Sequence, residues 1–202
     1  MLKFGDTYLN FGGTYLSGFE DPYNPLNLPS NTVRVRTNDG NAPRIFGETS
    51  YETATLVPGT NDVYDVYKSG TSFSNLFYQS ENVIEVLGAN TTGITNMNSM
   101  FEFCGALTNV PLFDTSNVTR MTGMFKHCSS LTSIPLFDTS SVTIMSYMFY
   151  NCINVESGAL ELYKQASSHT TPPSEHTQVF YNCGSNTQTG SAELAQIPDD
   201  WK

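Results

Sequence analysis

The chain has 202 residues, 39% of them apolar and 14% charged, with 19 acidic against nine basic side chains and a net charge of −10. That balance speaks against nucleic acid and anionic membrane surfaces, both of which select clustered Lys and Arg. The length suits one domain or two small ones with a real core, and no run approaches the ~18 apolar residues that a spanning helix needs.

In chain order, the N-terminal stretch 1–75 reads as β. FGDTYL and FGGTYL, seven residues apart, form a small internal repeat, and Gly12-Gly13 suits a hairpin or paired loop. Its aromatics Phe4, Tyr8, Phe11 and Tyr15 read either as a local apolar cluster or, with slightly more weight, as a docking surface. EDPYNPLNLPS is proline-punctuated and extended. TVRVRT (32–37) alternates apolar and polar residues and stops at Asn38-Asp39-Gly40, a turn signal. TATLV and DVYDVY flank Pro58-Gly59-Thr60-Asn61 as a second hairpin. Residues 1–75 are thus expected to form a β-rich N-terminal docking or capping module.

From residue 76 onward the chain is periodic, with one interval separating each Met, Phe and Cys from its counterpart in the next unit. Met97, Met121 and Met145 fall in register, as do Met100, Met124 and Met148; Phe101, Phe125 and Phe149; and Cys104, Cys128 and Cys152. Phe77 and Ser80 continue the series upstream, and FYNC at 149–152 recurs at 180–183, giving Phe180 and Cys183. The last interval is longer than the others because it holds GALELYKQAS, read as a short helix, and the breaker-rich HTTPPSEH. Within a unit, LTSIP alternates like a short strand ended by Pro111 or Pro135. Asp-Thr-Ser suits a turn or N-cap, and Met, Met, Phe and Cys stand at helical offsets on a short helix or 3₁₀ turn. The expected fold class is an α/β repeat, a short leucine-rich-repeat solenoid of about five units over 76–202 behind the small β-rich module.

The pattern DTSxVTxMxxMFxxCxxLTxIPLF resembles the BspA-type, or mycoplasma-lipoprotein-type, leucine-rich repeat. The ending, VESGALELYKQAS through GSAELAQIPDDWK, is similar to versions found in gut Bacteroidales and their phages. The resemblance implies a right-handed solenoid without catalytic function, used at surfaces for adhesion or recognition.

The chemistry-bearing residues read mainly as structure. Cys104, Cys128, Cys152 and Cys183 contain no C-x-x-C pair. In-register thiols, with Ser80 replacing one, read as a packed column rather than a metal site or disulfide. The Met pairs read as core rather than a soft-metal box. Asp114 and Asp138, about one strand spacing apart, could act as a retaining-glycosidase pair. Asn90 takes the equivalent place one unit earlier, so turn capping explains the set better. His127, His169 and His176 fit no catalytic motif. No cofactor is called for, and an enzyme is not expected.

Function is therefore expected where the units differ. Arg120, Lys126, His127, Tyr147 and Tyr150 are the surface positions at which specificity could be written. MLKFGDTYLNFGG has no continuous apolar segment or cleavage site, which points to a virion-associated phage protein: a head or tail fibre or decoration component. Its expected partners are other virion proteins through the N-terminal module and a host-surface protein or glycan, as a monomer or oligomer. A BspA-type bacterial cell-surface adhesin is the alternative, and a glycan hydrolase using Asp114 and Asp138 comes last.

Overall fold

The computed structural model describes residues 3–4, 7–8, 27–46 and 52–202. Regular secondary structure is mostly β. Strands β1 (Lys3–Phe4) and β2 (Thr7–Tyr8) form a minimal hairpin, pairing Phe4 with Thr7. The Gly12-Gly13 turn lies outside the described residues. β3 (Thr32–Thr37), β4 (Glu52–Leu56), β5 (Val63–Lys68) and β6 (Val83–Asn90) make one antiparallel sheet of order β4-β5-β3-β6. Alternation in TVRVRT buries Val33 and Val35 while Arg34 faces outward. There its guanidinium donates two hydrogen bonds to Asp65, its direct partner on β5, at 2.6 and 2.7 Å. The Pro58–Asn61 turn joins β4 to β5 as a hairpin.

Strand β6 belongs to the first repeat unit yet pairs with β3 of the N-terminal region. The sheet therefore runs across the boundary expected near residue 75. One apolar cluster extends from Val33 through the repeats to Trp201.

The repeat corrects the expected fold class. It is not an α/β leucine-rich-repeat solenoid: the four-stranded sheet is a small antiparallel one, and among the described residues the two helices, α1 (Ala159–Ser168) and α2 (Gln188–Leu194), both lie near the C-terminal end. α1 occupies the segment read as a helix. LTSIP forms no strand; at Ser133 it makes a single parallel bridge to Ser157. Pro111 and Pro135, having no N–H, prevent the ladder from growing.

The Met-Phe-Cys run forms no helix either. In the unit from Met97, alternate N–H groups donate to the next unit: Met97 to Arg120 O, Ser99 to Thr122 O, Phe101 to Met124 O and Phe103 to Lys126 O, at 2.8–2.9 Å. The intervening N–H groups of Met100, Glu102 and Cys104 close tight turns on Met97, Ser99 and Phe101. Ser99 and Phe103 reach this geometry with φ of 54° and 63°. A right-handed helix cannot pass through two left-handed residues. The turns nonetheless send Met97, Met100, Phe101 and Cys104 inward, so their spacing imitates a helical stripe.

Packing follows the register. Phe77, Phe101, Phe125, Phe149 and Phe180 stack with centroids 5.2, 5.4, 5.2 and 6.0 Å apart and rings within 8° of parallel. Met121, Met124, Met145 and Met148 are fully buried beside them. At the C-terminal end Trp201 closes the stack. Its carbonyl accepts the N–H of Phe180 at 2.9 Å, and its ring packs on Tyr163 and His176. Gly158, with φ of 99°, opens α1 where a Cβ would sit 2.3 Å from the Ile134 carbonyl oxygen, so only glycine fits.

Candidate functional site: an aromatic ladder on left-handed turns

The left-handed turns form two columns along the repeat. One holds Asn75, Ser99, Gly123, Tyr147 and Gln178; the other holds Gln79, Phe103, His127, Asn151 and Asn182. All have φ between 52° and 63°. Glycine and asparagine are the inexpensive occupants of this conformation, and histidine is tolerated; Phe103 and Tyr147 are the bulky exceptions.

These exceptions lie within a continuous surface ladder. Phe46 meets Tyr78 at 5.2 Å, Tyr78 meets Phe103 at 5.9 Å, and Phe103 stacks on His127 at 4.6 Å. His127 meets Tyr150 at 5.6 Å, and Tyr150 stacks on Tyr181 at 4.8 Å. Tyr147 joins from the other column, 6.0 Å from Tyr150. Tyr78, Tyr150 and Tyr181 share one register position; at the two intervening units it carries Glu102 and Lys126, ion-paired at 3.1 Å. There the rings move one residue on, to Phe103 and His127. Lys126 also lies 5.9–6.0 Å from the Tyr147 and Tyr150 rings, within cation–π reach.

An open groove of about 530 Å³ lies against the middle of this ladder. Phe103 and His127 line it together with Gly105, Ser129 and Ser130, and Glu81 also borders it. Glu81 borders a second, polar groove of about 600 Å³ that includes Asn41, Arg44, Gln79 and Asn82. Amides continue along the ladder in the other direction: Asn182 donates to Asn151 Oδ1 at 2.9 Å, and Asn151 Nδ2 lies 3.4 Å from His127 Nδ1. Burial, then the neighbouring Lys126 charge, hold the His127 pKa below its ordinary value, with Glu102 opposing.

Of the expected surface residues, Lys126, His127, Tyr147 and Tyr150 come together here. Arg120 is exposed but stands in a separate column of backbone bridges with Asn96 and Ile144. Phe4 and Tyr8 lie in β1 and β2, and Phe11 and Tyr15 lie outside the described residues. Sequence reasoning missed Phe46, Tyr78, Phe103, Tyr181 and Glu81. The available signal was a phenylalanine in a column otherwise filled by Gln, His and Asn.

The other chemical candidates serve the fold. Asp114 Oδ1 accepts the Ser116 N–H at 3.0 Å and Asp138 Oδ1 accepts the Ser140 N–H at 2.9 Å, as Asn90 does for Thr92. These are side-chain-to-backbone turns. Cys104, Cys128 and Cys152 are buried free thiols that donate to the carbonyls of Phe77, Phe101 and Phe125. Burial pushes the Cys104 pKa up to about 12, and those of Cys128, Cys152 and Cys183 upward as well. His169 meets Thr139 at 2.9 Å and His176 stacks on Trp201, so the three histidines stand in three separate places. Among the described residues, no group of three or more His, Cys, Asp or Glu could hold a metal ion.

The family model described as "Mycoplasma protein of unknown function, DUF285" matches residues 71–192, more than half of the chain. The protein belongs to that family. The DUF285 region includes every ladder residue from Tyr78 to Tyr181, whereas Phe46 precedes it. No curated protein and no solved structure matches the chain.

Proposed function

We propose that this chain is a non-enzymatic recognition protein displayed at a surface, with the aromatic ladder as its binding face. One observation carries the reading: Phe103 and Tyr147 occupy left-handed backbone yet remain 37% exposed. Bulky residues in this conformation store strain, and such strain gathers at functional sites. Folding alone would be served by Asn or Gly, as at Asn75, Gly123 and Asn151. The use of Asp114 and Asp138 in turns, and the separation of the histidines, support a role without catalysis.

The DUF285 family is linked to BspA-like surface proteins, which supports surface display. The proposed platform is a phage particle, with this protein as a head or tail fibre or decoration component and its N-terminal β-rich region facing other virion proteins. A BspA-type bacterial adhesin is the second reading, favoured by the family link. Mass spectrometry of purified particles from the source separates them: stoichiometric copies support the virion, and recovery only from cell envelopes supports the adhesin. The binding face itself is tested with fluorescently labelled full chain on intact cells from the same source. Saturable binding that Tyr150→Ser with Tyr181→Ser weakens at least tenfold supports the ladder; binding unchanged by both substitutions overturns it.

A further inference from the structure

We infer that the ladder groove binds a neutral polysaccharide chain, with Phe103 and His127 as the apolar wall and the surrounding hydroxyl and amide groups as hydrogen-bonding partners. This deepens the recognition reading and rests on it.

Three features select this ligand class. First, the groove combines aromatic surface with hydroxyl groups and a single charge. Ser129 and Ser130 line it beside Glu81, Gln79 and Asn82 line the adjoining groove together with Asp39 and Arg44, and Asn151 and Asn182 follow the ladder. A pyranose ring offers the complement, C–H surface for dispersion contact and hydroxyls for hydrogen bonds. Second, the charge excludes the main competitors. The chain carries −10 overall, Lys126 is already paired with Glu102, and Arg44 is a single cation in a groove that also holds Asp39 and Glu81. An anionic glycan or phosphate-bearing ligand thus meets no cluster of available cations. A basic peptide meets one acid beside the aromatic wall, Glu81, and in the adjoining groove Asp39 is offset by Arg44.

Third, the site is periodic and extended. Rungs recur every 4.6–5.9 Å from Phe46 to Tyr181. Each rung is close in length to one sugar unit of an extended chain, so successive units can meet equivalent environments. The groove at Phe103 and His127 is open to solvent, and the rungs continue beyond it on both sides. A small metabolite would instead be enclosed, since small-molecule sites bury most of their ligand.

The test uses the full chain in affinity electrophoresis and isothermal titration. The probes are β-1,4-glucan, xylan, mannan and chitin oligosaccharides of six units, with polygalacturonate as an anionic control. Phe103→Asn and His127→Asn remove the wall while placing asparagine where Asn151 and Asn182 already stand. Binding to at least one neutral oligosaccharide, absent for polygalacturonate and reduced tenfold or more in the double variant, is the expected result. Binding to none of the neutral probes, or equal binding by the double variant, overturns the inference.

Source cells then separate this failure from failure of the recognition reading. Ladder-dependent cell binding abolished by periodate supports the glycan. Ladder-dependent binding abolished by protease but not by periodate overturns the glycan while retaining recognition. Cell binding independent of the ladder overturns both.

Discussion

At the residue scale, identical side chains do different work according to which face of the turn they occupy. Phe101 and Phe103 are two positions apart: one is fully buried in the ring stack, and the other is 37% exposed at φ of 63°. Phe101→Ala should cost about 3–5 kcal/mol, as for other large core truncations. Phe103→Asn should cost less than about 1.5 kcal/mol, because relief of left-handed strain offsets much of the lost ring contact. Urea denaturation of the two variants checks the contrast; equal losses would contradict it.

The thiols make a second residue-scale case. Buried Cys104, Cys128, Cys152 and Cys183 should not react with a thiol reagent in the native state and should react fully in urea. Their ordinary pKa is 9.0, and burial raises it, to about 12 for Cys104. Above pH 9 the unfolded chain releases thiol protons that the fold retains. Their contribution is thus fully present below pH 9 and is lost as pH rises toward 12, by up to about 1.4 kcal/mol per pH unit per thiol. Denaturation midpoints measured from pH 8 to 11 should fall accordingly, and replacing Cys128 by Ser should lessen the slope.

At the element scale, the repeat period was legible in the sequence and the element type was not. Met, Met, Phe and Cys at helical offsets are equally well buried by successive tight turns, and side-chain periodicity alone cannot separate the two. The deciding residues were Asn75, Gly123, Asn151 and Asn182, which mark left-handed positions in register from unit to unit. LTSIP alternates like a strand, but its proline and the single bridge at Ser133 leave nothing to extend. The β3 strand and the β4–β5 hairpin were readable because alternation and turn chemistry agreed there. The pairing of β6 with β3 was not readable, since strand partners so distant along the chain leave no local trace. The candidate site was half legible. Lys126, His127, Tyr147 and Tyr150 stood out as unit-to-unit differences, whereas Phe46 and Tyr78 needed the fold to bring them alongside.

The element scale also holds a backbone prediction. α1 starts at Gly158 against the Ile134 carbonyl, so Gly158→Ala must displace one unit from the next. A loss of about 2–4 kcal/mol is expected, from the left-handed φ together with the clash. Thermal melting that leaves this variant within 1 °C of the parent would show that α1 is not held there; about 1 kcal/mol already shifts a midpoint by several degrees.

At the scale of the whole molecule, the antiparallel sheet and the repeat share one apolar cluster, and β6 is common to both. Unfolding followed by far-ultraviolet circular dichroism and by Trp201 fluorescence should coincide in one transition. Separate midpoints would mean that the sheet and the C-terminal units fold independently. The continuous core also gives the middle of the ladder a rigid footing: Phe103 and His127 project from turns bonded to the next unit, Phe103 N–H to Lys126 O and His127 N–H to Tyr150 O. A preorganised surface of this kind loses little side-chain freedom on binding.

The central claim is that ring positions on left-handed turns are held for recognition at some expense in stability. The most direct measurement pairs thermal melting with source-cell binding for the variant carrying Phe103→Asn and Tyr147→Asn. The expected result is a melting midpoint within a few degrees of the parent and a loss of binding of at least tenfold. A variant that keeps the fold and binds as well as the parent would contradict the claim.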